Sequence, residues 1–200
     1  MPRSLAFDLF GIASSHVADP AAVRAADIAE SLNEDEDSPY CGLVRYIGEQ
    51  PPSGKHSKLG IALSTFVNAI KPLVADTSGI FRTFNVYDLK NQTKAIMAFY
   101  KVLQEWYGEQ WLSRDNAFMH AAGVTGSMDF FRQHLIQYCA GKKSYSSATM
   151  RAAMKIDATN RIWKKEAERL GGRAMARTVK ELLVSRFIPS EDKEEDIEFD

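Results

Sequence analysis

The sequence predicts a mainly helical protein with a minor β component, in which helices pack around a few short strands and a basic helical segment follows. Apolar residues recur at helical spacing along most of the 200 residues, of which 45% are hydrophobic. β-Forming residues cluster in one short run, CGLVRYIG at 41–48, which predicts a strand. No apolar run approaches the roughly 20 residues that cross a bilayer, so we expect a cytoplasmic protein without membrane association.

The first predicted helix begins at Pro20, because Asp19 is a favoured N-cap residue and proline is favoured at the first helical position. Four consecutive acids at 34–37 separate this helix from the predicted strand. A calcium-binding loop beginning at position 33 would need glycine and glutamate where the sequence has Ser38 and Val44. We therefore interpret the acidic run as a solvated turn.

The middle of the chain predicts further helices. Ser64 is expected to cap one, whereas residues 79–84 suit a strand or a loop crossing. A longer helix is predicted over 91–107, where apolar residues follow one stripe. Beyond it, two helices are expected to meet at the glycines of positions 123–126, with Ser127 capping the second.

The last third of the chain is predicted to be helical over 147–156, 158–170 and 173–187. Within 142–186, twelve Lys and Arg stand against four Asp and Glu, a net charge of +8. Residues 191–200 carry seven acids and one lysine, a net charge of −6. The predicted organisation is an α+β domain at 1–140, a basic helical segment at 141–190, and an acidic disordered tail at 191–200.

A basic segment followed by an acidic tail is typical of proteins with nucleic-acid partners. Arg161, Lys164, Lys165 and Arg169 share one face of the predicted 158–170 helix. Arg173, Arg177 and Lys180 repeat this pattern on the predicted 173–187 helix. These two basic faces could grip phosphates, but they could equally cover a protein surface or face water. The residues predicted to contact nucleic acid are Lys142, Lys143, Arg151, Arg161, Lys164, Lys165, Arg169, Arg173, Arg177 and Lys180.

No spacing in the sequence points to catalysis. The four histidines lack metal-binding spacing, and Cys41 and Cys139 form no CxxC pair, so both are predicted to be reduced and buried. The run GVTG at 123–126 is too short for a phosphate-binding loop. We assign no catalytic residue, no metal and no cofactor, and an enzyme of nucleotide or nucleic-acid chemistry is the least supported class.

The segment AADIAESLNEDEDSPYCGLV at 25–44 resembles part of the DGQHR-domain family, whose members include DndB-like proteins associated with DNA phosphorothioation. Further on, STFVNAIKPLV at 64–74 looks like that family's short helix after a second strand, and 94–131 looks like its closing helix pair. The similarity covers roughly 5–138, and the Asp-Gly-Gln-His-Arg string that names the family is absent from the sequence. The residues that carry the similarity of the first segment are Ala26, Ala29, Leu32, Asn33, Ser38, Pro39 and Tyr40.

This resemblance implies an accessory or regulatory role near modified or foreign DNA and implies no reaction. It also leaves an alternative, a protein-interaction module that assembles with a separate chain supplying the missing half of the domain. Either interpretation allows a protein partner or a homo-oligomer.

Overall fold

The computed structural model describes residues 19–46, 48, 59–75, 78–167 and 172–188, which are mainly helical with one two-stranded parallel sheet. The predicted fold class is therefore confirmed. No helix within these ranges has the length and apolar content needed to cross a membrane. The helices are α1 (Pro20–Glu34), α2 (Leu63–Val74), α3 (Ile80–Thr83), α4 (Leu89–Tyr107), α5 (Ala121–Phe130), α6 (Ile136–Gly141), α7 (Ser147–Ala152), α8 (Lys164–Ala167) and α9 (Gly172–Val184). The strands are β1 (Val44–Arg45) and β2 (Ile61–Ala62).

One hydrophobic core joins the helices from both halves of the chain. Helix α1 packs against α2 and α4, α2 packs against α5, and α9 covers α5. The core is rich in aromatic rings, and Phe99 contacts Tyr100, Phe130 and Phe131. The C-terminal helix α9 belongs to the same core because the side chain of Val179 is fully buried in it.

Helix α1 begins where the sequence predicts. Asp19 Oδ1 accepts hydrogen bonds from the backbone N–H groups of Ala21 (3.0 Å) and Ala22 (3.4 Å). The acidic residues 34–37 at the other end of the helix are exposed, and Asp35 Oδ1 accepts from the backbone N–H of Asp37 at 2.9 Å. The acidic run is thus an exposed turn at the end of α1, as predicted.

The residues after this turn anchor the chain in the core. Tyr40 is fully buried, and its hydroxyl donates to the carbonyl oxygen of Phe118 at 2.9 Å. The Tyr40 ring meets the rings of Phe66 and Tyr100 edge to face, with centroids 5.0 and 4.7 Å apart. Trp111 Nε1 donates to the carbonyl oxygen of Pro39 at 2.8 Å. The Pro39–Tyr40 pair therefore fixes the path of the chain between α1 and β1.

Asn33 connects the end of α1 to β1. Its backbone carbonyl accepts from the N–H of Gly42 at 2.9 Å, and its side-chain Oδ1 accepts from the N–H of Val44, also at 2.9 Å. Within the segment 25–44, residues that carry the resemblance therefore also have structural roles. Asn33 satisfies backbone groups, and Leu32 and Tyr40 fill the core.

Two predictions about the middle of the chain are wrong. Helix α2 begins at Leu63 rather than after a Ser64 cap, because burial of the Leu63 side chain turns Ser64 outward to solvent. Residues 80–83 form the short helix α3 rather than a strand or loop crossing. The helix inserts Phe81 into the core and leaves Arg82 exposed.

The two helices expected to meet at the glycines of 123–126 are instead one continuous run. Helix α5 passes through a π-helical turn (Phe131–Leu135) into α6. Ser127 does not cap a helix, and its hydroxyl donates to the carbonyl oxygen of Val124 at 3.0 Å. A Cβ at Gly126 would lie 2.3 Å from the carbonyl oxygen of Ala176. Glycine at 126 therefore serves the close approach of α9 rather than a chain break.

The helices predicted over 147–156 and 158–170 are shorter than expected. Helix α7 ends at Ala152, and α8 begins only at Lys164. Trp163 forms an antiparallel bridge with Asn116, and the N–H of Lys164 donates to the carbonyl oxygen of Asp115 at 2.7 Å. These bonds hold the backbone before α8 against 115–117, so it cannot form a helix there. Residues 168–171 lie outside the described residues, and α9 ends three residues before the predicted 187.

The two cysteines differ in exposure. Cys139 is buried as predicted, but Cys41 is exposed, so the expectation of two buried thiols is half wrong. Cys41 and Gly42 form the exposed part of the turn before β1, between the buried residues Tyr40 and Leu43.

Burial raises the pKa values of the core tyrosines Tyr40, Tyr100 and Tyr107, and it raises the pKa of the Cys139 thiol to about 12. In the unfolded chain these groups ionise near their ordinary values of 10.0 and 9.0. Their contribution to stability is therefore complete below those values and is lost as the pH rises towards the folded pKa values. We expect the free energy of unfolding to fall above about pH 10, by about 1.4 kcal/mol per pH unit for each such group.

Urea midpoints measured across alkaline pH, with tyrosinate absorbance as a second signal, test this expectation. Tyr100→Phe removes one ionisable group and should make the alkaline decline shallower. Identical declines in the two proteins would contradict the assignment to Tyr100.

Candidate functional site

Two of the predicted phosphate-contacting residues, Arg151 and Arg161, instead form hydrogen bonds with backbone carbonyl groups of the fold. The Arg151 guanidinium donates to the carbonyl oxygens of Met154 and Ile156, both at 3.1 Å. Arg161 Nε donates to the carbonyl oxygen of Trp106 at 2.9 Å, and its guanidinium lies over the Tyr107 ring. These arginines hold the irregular backbone between α7 and α8 against the core.

The predicted basic face of Arg161, Lys164, Lys165 and Arg169 does not form as expected. Arg161 precedes α8 and lies off that helix, because α8 starts at Lys164. Lys165 is exposed. Arg169 and the side chain of Arg173 lie outside the described residues.

The remaining predicted residues fall into two places. Lys142 and Lys143 are exposed at the end of α6, where Lys142 Nζ lies 5.7 Å from the centre of the Tyr138 ring. Arg177 and Lys180 lie on α9 and line a cleft of about 520 Å³. Lys164 lines a cleft of about 370 Å³. Among the predicted residues that the structure describes, Lys164, Arg177 and Lys180 therefore line these two clefts.

The two clefts adjoin one another, because Thr65 and Ala121 belong to the walls of both. The smaller cleft runs along β2 and the first turns of α2 and α5, and Arg114 and Lys164 lie on its rim. The larger cleft lies between α2, α5 and α9, with Arg177 on its α9 wall. We call this combined surface the cationic groove, defined by Arg114, Lys164, Arg177 and Lys180.

The charge of the groove is mainly positive. Four cations line it, and Asp129 is the one carboxylate among the described lining residues. Asp129 Oδ1 lies 3.4 Å from Arg132 Nη2, an exposed pair that offsets its charge. The groove therefore offers an excess of positive charge to a ligand.

Two of the groove cations, Arg177 and Lys180, make weak contacts. Arg177 Nε lies 2.7 Å from Glu181 Oε1, with both side chains more than half exposed. Lys180 Nζ donates to Gln133 Oε1 at 3.3 Å. An exposed ion pair such as Arg177–Glu181 contributes about 0–1 kcal/mol, and the Lys180–Gln133 hydrogen bond is long and exposed. Both cations can therefore exchange partners with an incoming anion.

Two helix N-termini add to the positive potential of the smaller cleft. Ala62 precedes α2 and His120 precedes α5, and both line this cleft. Neither helix start has a side-chain hydrogen bond capping it among the described residues. Because a helix N-terminus carries partial positive charge, both ends favour anions in the same cleft as Arg114 and Lys164.

Sequence reasoning missed one groove cation and a second basic surface. Arg114 lies in the irregular segment between α4 and α5, where no periodicity marks it. Lys90, Lys94 and Lys101 lie on one face of α4 and line another cleft. Their spacing of four and seven residues is a helical signal that the sequence contains.

Within the described residues, no group of three or more His, Cys, Asp or Glu side chains could hold a metal ion. No protein-family model matches the chain, and neither a curated protein nor a solved structure matches it significantly. The fold and the groove define a mainly helical protein with a cationic concave surface. The DGQHR resemblance stays a prediction.

Proposed function

We propose that this protein is a DNA-associated accessory or regulatory protein that contacts DNA phosphates through the cationic groove. One observation carries the proposal: Arg114, Lys164, Arg177 and Lys180, from three separate parts of the sequence, line two adjoining clefts. The resemblance to DGQHR-domain proteins supports the choice of DNA as the ligand. The proposal includes no chemical reaction.

Phosphate contacts fit the groove better than base recognition does. Lysine and arginine side chains neutralise phosphates and release counterions, which supplies affinity without reading sequence. In this proposal the larger cleft contributes Arg177 and Lys180, and the smaller cleft contributes Lys164 and Arg114 beside two helix N-termini. In this proposal the exposed Lys142, Lys143 and Lys165 do not contact phosphates and only strengthen the long-range electrostatic attraction of DNA.

We predict that the full chain binds fluorescent duplex DNA with an affinity that falls steeply as salt increases. Changing the four groove cations together, as Arg114→Gln, Lys164→Gln, Arg177→Gln and Lys180→Gln, should abolish most of this binding. The slope of log affinity against log salt should become shallower by about 0.9 for each phosphate that the variant no longer neutralises. Fluorescence anisotropy at several salt concentrations measures both quantities.

A matched control removes four exposed cations outside the groove, as Lys142→Gln, Lys143→Gln, Lys155→Gln and Lys165→Gln. Both variants change the net charge equally, so a nonspecific field effect would weaken binding equally in both. Equal losses would contradict the groove as the contact surface. Absence of binding by the unchanged chain at low salt would reject the DNA proposal in favour of the protein-interaction module.

A further inference from the structure

A third cleft, of about 610 Å³, combines lysines with an apolar floor. Lys90, Lys94 and Lys101 line it from one face of α4, over an axial distance of about 16 Å. Met97 and Ala98 lie between them and are part of the lining. We call this surface the lysine cleft. It offers three cations and a hydrophobic strip to an extended peptide.

The opposite edge of the lysine cleft is acidic. Asp35 and Asp37, in the turn after α1, line that edge, and Asp35 Oδ1 accepts from the N–H of Asp37. A ligand that complements the whole cleft therefore carries several carboxylates, some apolar side chains and a cation for the acidic edge. Residues 191–200, EDKEEDIEFD, have this composition, with Lys193 before the apolar Ile197 and Phe199.

The described end of the chain lies close to this cleft. The N–H of Ile188 donates to the carbonyl oxygen of Ala153 at 2.8 Å. Ala153 follows α7, and Ser147 at the start of α7 lines the cleft and donates to the carbonyl oxygen of Ala98 at 3.1 Å. The length of α7 gives about 9 Å from Ala153 to Ser147. Residues 189–190 span up to about 7 Å, so 191–200 can reach the lysines.

We propose that residues 191–200 bind the lysine cleft of their own chain. Carboxylates of the segment pair with Lys90, Lys94 and Lys101, and Ile197 and Phe199 cover Met97 and Ala98. In an extended peptide, alternate residues point the same way, so Ile197 and Phe199 can face the floor together. The alternating acids Asp196, Glu198 and Asp200 then remain available to the lysines. This contact is independent of the cationic groove and of DNA binding.

Zero-length carbodiimide cross-linking of the full chain, read by mass spectrometry, tests the proposal, because it joins a lysine amine to a carboxylate only in direct contact. Lys155 is the internal reference. It is exposed, and its N–H bonds to the carbonyl oxygen of Arg186 at 2.7 Å, so a freely moving segment would meet it often. We expect several-fold more cross-links from 191–200 to Lys90, Lys94 and Lys101 than to Lys155.

Two further samples sharpen the result. Ile197→Ser with Phe199→Ser keeps every lysine and carboxylate and should reduce the cross-links to the cleft lysines. A mixture of isotope-labelled and unlabelled chains should give cross-links only within one chain. Predominant cross-links to Lys155, to Lys164 or to Lys180, cross-links between labelled and unlabelled chains, or none from 191–200 would each overturn the proposal. Since no DNA is present, these outcomes are separate from those of the DNA-binding test.

Discussion

Replacing Tyr40 with alanine should lower the free energy of unfolding by about 4 kcal/mol, a value typical of large aromatic side chains removed from a packed core. The Tyr40 side chain is fully buried between the rings of Phe66, Tyr100 and Trp111. Its loss leaves a cavity between α2 and α4, beside Trp111. It also leaves the carbonyl oxygen of Phe118 without its hydrogen bond.

Tyr40→Phe separates the two contributions, because it keeps the ring and removes only the hydroxyl. A buried acceptor left unsatisfied costs about 1–3 kcal/mol, so this variant should lose less stability than Tyr40→Ala. Urea unfolding followed by circular dichroism measures both changes. A Tyr40→Ala loss no larger than that of Tyr40→Phe would show that the ring packing contributes little.

The role of Tyr40 shows why the resemblance of the segment 25–44 is easier to recognise than to interpret. Leu32, Asn33 and the residues 38–40 carry the resemblance on either side of the acidic turn, but several of them have a structural task. Asn33 satisfies the backbone N–H of Val44, and Pro39 accepts from Trp111. Such a motif can therefore indicate a fold without containing a binding residue.

Local sequence signals correctly predicted the helices whose capping residues and apolar stripe lie within the helical segment itself. Asp19 and Pro20 mark the start of α1, and the apolar stripe of α4 runs to Gly108, whose positive φ of 53° suits a helix end. The helix predicted over 158–170 does not form at 158–163, and the reason is a contact with a distant part of the sequence. That segment bonds to residues 115–117, about 45 positions earlier in the sequence, and no local pattern reveals this pairing.

The same distinction applies to the candidate site. Helical spacing marked Arg177 and Lys180 correctly as one basic face of α9, because both lie on a regular helix. Arg114 could not be found in this way, since a loop places it beside Lys164 only after the chain has folded. Arg161 was included wrongly in a helical face, because its hydrogen bond to Trp106 depends on tertiary packing.

The groove depends on the packing of α9 against α5, and Gly126 controls the distance between them. A Cβ at this position would lie 2.3 Å from the carbonyl oxygen of Ala176 and 2.9 Å from Val179 Cβ. A backbone oxygen cannot move away without its helix, so Gly126→Ala should displace α9. We expect the free energy of unfolding to fall by about 3 kcal/mol, at the upper end for overpacked cores.

Gly141→Ala is the matched control, because nothing lies within 4 Å of a Cβ at that position. Alanine there also favours the helical conformation of α6, so its stability should be unchanged or higher by about 0.5–1 kcal/mol. Urea unfolding of the two variants checks the difference. Since Arg177 and Lys180 move with α9, the proposed function further predicts weaker DNA binding for Gly126→Ala and normal binding for Gly141→Ala. Equal stability of the two variants would mean that α9 does not lie against Gly126 as closely as the structure places it.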